Sequence, residues 1–229
     1  MYRLPLIFLL AILPHLIFAQ SLENYFFPTK KLQKTKVYQF EVAKKPELTQ
    51  YWKMKAVEKK GKWEMTTHTF NADFQLTEVA VEWIDSTGSE LQYYVQVGKE
   101  GEMDTVDLVE NKVFDWNHKE GEMIRWSMLI NNEKNETLFF AKQRTLTKGC
   151  NKPTLRGRSY DMVCFNDALH SVNSDTYEEL FSFTQTSYYA NRMGLIGFDR
   201  FFEGEEEQNA SYRLVKIWKE KKWNKLASK

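Results

Sequence analysis

Apolar and polar residues alternate along most of this chain, and helical spacing is nearly absent. Val37-Tyr-Gln-Phe-Glu-Val42, Trp52-Lys-Met-Lys-Ala56, Val79-Ala-Val-Glu-Trp-Ile84 and Leu91-Gln-Tyr-Tyr-Val-Gln-Val97 each repeat with a period of two. That period marks strands with one buried face. Segments 124–130, 138–141, 160–165, 195–202 and 211–218 continue it. Turn signals fall between them at Lys60-Gly61, Ser86-Thr-Gly88, Glu120-Gly121 and Glu203-Gly204. Such intervals leave no room for helical crossovers, so neighbouring strands pair antiparallel. The pattern predicts an all-β antiparallel meander with little helix. It forms a single domain over residues 20–229, in which 219–229 is a basic tail.

Carried strand by strand, the alternation gives one inward set: Trp52, Met54, Trp63, Met65, Val81, Trp83, Tyr93, Val95, Trp126 and Met128. Lys53, Lys55, Glu64, Glu82 and Arg125 then face water. Two readings of the inward face stay open. Tryptophans and methionines either fill an ordinary sheet core or line a cavity for an apolar ligand, with Trp52, Met54, Trp63, Trp83, Tyr93, Trp126 and Met128 as its walls.

The first nineteen residues stand apart from this pattern. Arg3 is their only charge, an apolar run follows, and Ala19 precedes polar Gln20. Basic, apolar and small-residue regions in that order read as a secretory signal cut near Ala19. No later apolar run approaches the ~20 residues of a membrane helix. The expected product is a secreted, soluble, periplasmic protein that does not span the membrane. Charge agrees: 32 Lys and Arg face 31 Asp and Glu, and without Arg3 the balance is neutral. A nucleic-acid binder would show a basic excess or stripe.

Export changes the meaning of the two cysteines. In an oxidising compartment Cys150 and Cys164 invite a disulfide. Gly157 lies midway between them. A hairpin turning there would set the cysteines opposite each other on adjacent strands, close to bonding distance. The alternative is two buried thiols.

Candidate chemistry is sparse. The sequence holds no Gly-x-Ser-x-Gly, His-Glu-x-x-His or phosphate-cradling glycine loop. Asp161, Cys164, Asp167 and His170 could be taken for a metal cluster, but their spacing fits no zinc site. Glu203-Gly-Glu-Glu-Glu207 lacks calcium-loop spacing and reads as a solvated hairpin tip. Lys216–Lys229 mixes lysines with Trp218 and Trp223 and reads as a final strand followed by a frayed end. No cofactor or metal is expected.

The C-terminal third carries a recognisable pattern: Gly157-Arg-Ser-Tyr-Asp-Met-Val-Cys-Phe165, then Ser187-Tyr-Tyr-Ala-Asn-Arg-Met-Gly-Leu-Ile-Gly-Phe198, then Ser211-Tyr-Arg-Leu-Val215. It resembles secreted bacterial β-proteins with a Tyr-Tyr-Ala-x-x-x-Gly-Leu hairpin, similar to half-open β-barrels of the lipoprotein-carrier (LolA/LolB-like) type. The resemblance implies a meander curved into a half-open β-barrel around an apolar groove. Within the hairpin, Tyr188 and Tyr189 send one ring to each face, and Gly194 and Gly197 permit a bend or bulge. Phe27-Pro28 and Tyr38 keep part of that family's N-terminal pattern, but Gln33 and Lys36 stand where it has glycine and tryptophan.

Together these observations lead first to a non-enzymatic periplasmic protein binding a lipid or another apolar small molecule in the concave face of its sheet. A second reading is an envelope-protein interaction module that pairs through exposed strand edges. A secreted hydrolase with an unfamiliar site ranks third.

Overall fold

The computed structural model describes residues 21–98, 101–131, 136–147, 150–155 and 157–228. The expected signal segment, 1–19, lies outside the described residues. Twelve strands are seen among them: β1 (Lys36–Val42), β2 (Lys45–Lys59), β3 (Lys62–Phe70), β4 (Leu76–Ile84), β5 (Gly88–Val97) and β6 (Met103–Asp115). There follow β7 (Met123–Asn131), β8 (Thr137–Thr147), β9 (Met162–Asn173), β10 (Glu179–Ala190), β11 (Gly194–Phe201) and β12 (Ala210–Lys219). Each pairs antiparallel with the next, as the alternation and turns require.

The barrel is closed, not half-open. β1 pairs with β12 from Lys36↔Lys219 to Val42↔Tyr212, with one irregularity between Gln39 and Phe40. Closure satisfies the backbone groups of the first and last strands, so neither remains a free edge. Interaction through exposed strand edges therefore has no edge to use.

One mouth is stoppered by the segment before β1. A short 3-10 turn (Leu22–Tyr25) leads through Phe26, Phe27 and Pro28 into α1 (Thr29–Leu32). Phe26 packs edge-on to Phe114, Phe27 edge-on to Tyr38, and Leu32 is fully buried. Backbone bonds fix the segment, from Leu22 N–H to Trp116 O at 3.0 Å and from Arg192 N–H to Asn24 O at 2.6 Å. Gly194 makes room for it: a Cβ there would lie 2.4 Å from the Phe27 ring, and φ is +83°.

Below this stopper the barrel interior changes from apolar to charged. Arg144 donates to Asp167 through Nε (2.7 Å) and Nη2 (3.0 Å), and Lys142 lies 3.0 Å from the same carboxylate. Ser187 donates to Asp167, Gln185 to Ser187, and Arg200 to Gln185. Phe114, Phe165 and Tyr189 surround the Arg144 guanidinium. Leu91, Met128 and Ile130 form a second apolar cluster, joined by Trp126, Leu138 and Phe140.

The interior face of β4 differs from the expected one. Met65, which is buried, pairs with Glu82, Thr67 with Ala80 and Thr69 with Glu78. Glu78, Ala80, Glu82 and Ile84 thus point inward, and Val79, Val81 and Trp83 point outward. Tyr93 follows Val81 across to β5, and Val95 follows Val79. Trp83 and Tyr93 are 45% and 51% exposed, whereas Val95 is buried. Period two yields two faces without saying which is inside, and a one-residue offset exchanges them. Here the β3–β4 connection, with an irregularity between Thr69 and Phe70, sets that offset.

Two smaller expectations also change. Cys150 and Cys164 are bonded, but Cys150 lies in a loop and not opposite Cys164 on a strand pair. The tight turn at Gly157 spans only Leu155 to Arg158. The basic tail is not frayed either, since Glu220–Ala227 form α2 on the outside of the barrel. Its Trp223 is buried with Val37 and Tyr51, against Phe70 and Phe74.

Candidate functional site

The residues singled out from sequence fall into three places. Trp52, Met54, Trp63 and Met65 share the large core cluster beneath the stopper. Trp126 and Met128 belong to the second cluster. Trp83 and Tyr93 lie on the outer wall, so the seven proposed cavity walls do not enclose one groove.

In the Tyr-Tyr hairpin the two rings part to opposite faces. Tyr189 turns inward against Phe114 and Phe165, and a register shift separates it from Tyr188. Tyr188 turns outward and donates to Asp199 at 2.6 Å, while Arg213 lies over its ring and ion-pairs with Asp199. Gly197 faces Tyr188 across the pair and lets Arg213 pack close. Asp161, Cys164, Asp167 and His170 do not converge. Asp161 accepts from Tyr25 and Asn191, Cys164 is in the disulfide, and Asp167 and His170 project from opposite faces of β9.

Two adjoining hollows at the stoppered mouth bring together residues of another kind. The first, of about 510 Å³, lies between the N-terminal segment and the β2–β3 and β4–β5 turns. Phe27, Trp63 and Trp116 give it aromatic walls, with Lys30, Lys31 and Arg192 around them. A second hollow of about 440 Å³ is bounded by Lys59, Lys60, Lys62, Trp63, Glu64 and Trp83. Trp63 is common to both.

Asp85 organises this rim. Its main-chain oxygen accepts from the Trp116 indole at 2.8 Å, and its carboxylate accepts from the Thr87 amide and hydroxyl. Lys62 lies 3.0 Å from the same carboxylate and also over the Trp83 ring. The Thr87 bonds, and after them Lys62, hold Asp85 well below the usual carboxylate range. Lys62 thus bridges the Asp85 carboxylate and the Trp83 ring at the rim. Sequence reasoning found Trp63 and Trp83 but missed the basic cluster. Lys59-Lys60-Gly-Lys62 was legible only as a turn, because the partners Lys30, Lys31 and Arg192 come from distant segments.

Comparison with known proteins supports the architecture. By sequence, the chain matches no protein-family model and no curated protein. In fold it is similar to a proposed lipoprotein of Parabacteroides distasonis, at 16% identity and a TM-score of 0.54 over 85% of this chain and 98% of that one. A proposed exported protein of Bacteroides fragilis with a YmcC-like fold gives 12% identity and a TM-score of 0.54, over 85% and 99%. Identities this low establish a shared all-β barrel fold and nothing narrower. No helix among the described residues is long and apolar enough to cross a membrane.

Proposed function

We propose that this protein is an exported, non-enzymatic binding module of the bacterial periplasm, taking a lipid or acyl chain at the stoppered mouth of its barrel. The observation that carries this reading is the pair of hollows meeting at Trp63. The Trp63–Trp83 side offers indoles and lysine stems to an apolar chain, since long cationic side chains present apolar stems below their charged heads. On the other side, Lys30, Lys31 and Arg192 offer cations to an acidic headgroup. Side chains fill most of the concave face and leave beside Glu78 and Glu82 a space of about 150 Å³, too small for an acyl chain, so the proposed ligand sits at the rim and not in a groove.

Export rests on the signal-like N-terminus and agrees with the character of the fold neighbours. The resemblance to lipoprotein carriers points the same way. A non-enzymatic role agrees with the interior charges, because Asp167 is committed to Arg144, Lys142 and Ser187.

Titration of the mature protein with palmitate and with a lysophospholipid, read by tryptophan emission, tests the proposal. Saturable change that Trp63→Ala abolishes supports it. A flat titration, together with native mass spectra free of lipid from envelope-purified protein, overturns it.

A second reading is favoured by one observation: β4 and β5 turn Val79, Val81, Trp83 and Tyr93 outward. Such an apolar wall suits an envelope-protein partner. A photo-crosslinker at Tyr93 that captures one defined envelope protein, and loses it in Trp83→Ala, would favour this reading over the first.

A further inference from the structure

The inward face of β4 contradicts the ordinary rule for a strand. Its carboxylates, Glu78 and Glu82, enter the barrel, while valines and a tryptophan face out. Departures of this kind from locally consistent patterning concentrate at functional sites. Beside these carboxylates lies a cavity of about 150 Å³, bounded by Phe27, Trp52, Thr67, Thr69, Glu78 and Glu82. A space of about 150 Å³ holds a benzene-sized guest.

We propose that this cavity binds a small organic cation, an amine no larger than choline. Its walls supply both halves of ammonium recognition: the aromatic side chains of Trp52 and Phe27, and the carboxyl groups of Glu78 and Glu82. Thr67 and Thr69 add polar groups on the adjacent strand. The interior cations are engaged elsewhere. Arg144 and Lys142 are held by Asp167, while Arg200 donates to Gln185 and stacks over Phe183, Phe198 and Tyr212. Among the described residues no ion pair joins Glu78 or Glu82 to a lysine or arginine. Glu82 accepts a hydrogen bond from the Ser89 hydroxyl. Burial pushes the Glu82 carboxyl up, with Ser89 and the more distant Arg144 opposing. A bound ammonium would supply the missing counter-charge.

This site is separate from the rim. Phe27 of the stopper stands between them, touching both the outer hollow and the inner cavity. Calorimetric titration of the mature protein with choline and with ethanolamine tests the proposal, with 3,3-dimethyl-1-butanol as the uncharged isostere of choline. Saturable binding of at least one amine is expected, at least tenfold tighter than the isostere. Glu82→Gln and Glu78→Gln should each weaken it at least tenfold while circular dichroism and thermal unfolding show a folded barrel. Trp63→Ala, which removes the rim platform, should leave amine binding within twofold, so failure of the lipid reading would not count against this one. Equal affinity for the uncharged isostere, unchanged binding in both glutamine variants, or no saturable binding of either amine overturns the proposal.

Discussion

Asp167 joins three interior donors, and its removal is the most direct test of how the charged layer is held. Burial alone would raise its pKa, but Arg144 and Lys142 more than reverse that and bring it to about 2. Asp167→Asn leaves two cations buried without their partner, which costs about 3–5 kcal/mol. Urea unfolding at pH 7 should show that loss. The sign of the pH effect follows from linkage: a carboxyl lower in the folded state stabilises above its unfolded pKa. Asp167 therefore gives stability that disappears as pH falls from about 3.8 to about 2. Lys142 works in the other direction, since burial lowers it to about 8 from 10.5 although Asp167 opposes this. Its unfolded form holds the proton more tightly across that interval, so stability from this group rises as pH rises from about 8 to about 10.5. Lys142→Met should flatten the alkaline limb of a pH–stability curve measured by urea midpoints, and an unchanged limb would show that the lysine is solvated. Neither residue was legible in the sequence as an interior charge. Asp167 shares a face with Phe165 two residues earlier, but a carboxylate at such a position reads as outward until its partners, Arg144 and Lys142 on β8 and Ser187 on β10, are placed beside it.

Among the elements, β4 and the N-terminal stopper show where pattern reading stops. Alternation identified β4 correctly as a strand, and Trp52, Met54, Trp63, Trp126 and Met128 correctly as inward. It reversed Val81, Trp83, Tyr93 and Val95, and Glu82 in the opposite sense, because β4 carries plausible apolar residues on both faces and its offset from β3 is set by a connection without period. The disulfide was legible from compartment and cysteine number, but its loop geometry was not. In Phe26-Phe27-Pro28 the apolar residues show no period at all, so nothing announced a segment that crosses a barrel mouth. Gly194 tests that segment. Alanine at φ +83° costs about 1–2 kcal/mol from the backbone alone, and its methyl collides with Phe27. Gly194→Ala should therefore lower the urea midpoint and expose residues 21–32 to limited proteolysis; a protected N-terminus would refute the packing. Trp223 offers a parallel test on the outside. Trp223→Ala removes the anchor of α2 from Val37 and Tyr51 and should cost about 3 kcal/mol, with amide exchange rising in 220–227.

At the scale of the whole molecule, eleven of the twelve strand pairings join neighbours in sequence and one joins the ends. A meander reveals the first kind through its turns. The second is invisible to local pattern, because alternation reads the same in an open sheet and a closed one. Closure also has a kinetic consequence. Hairpin pairs close short loops, whereas β1 must find β12 across nearly the full chain, at a higher entropic cost. The seam should then form after the folding transition state. Leu214, opposite Phe40 in that seam, is buried at 3% exposure. Leu214→Ala removes buried volume worth about 3 kcal/mol. For contacts absent from the transition state, that loss falls on the unfolding rate, which should rise on the order of 100-fold while refolding changes less than about threefold. Met128, inside the local β6–β7–β8 meander, should divide its effect differently, with Met128→Ala slowing refolding. Stopped-flow unfolding and refolding limbs for the two variants separate the cases. Should Leu214→Ala slow refolding as much as Met128→Ala does, the ends meet early, and the barrel folds around its seam.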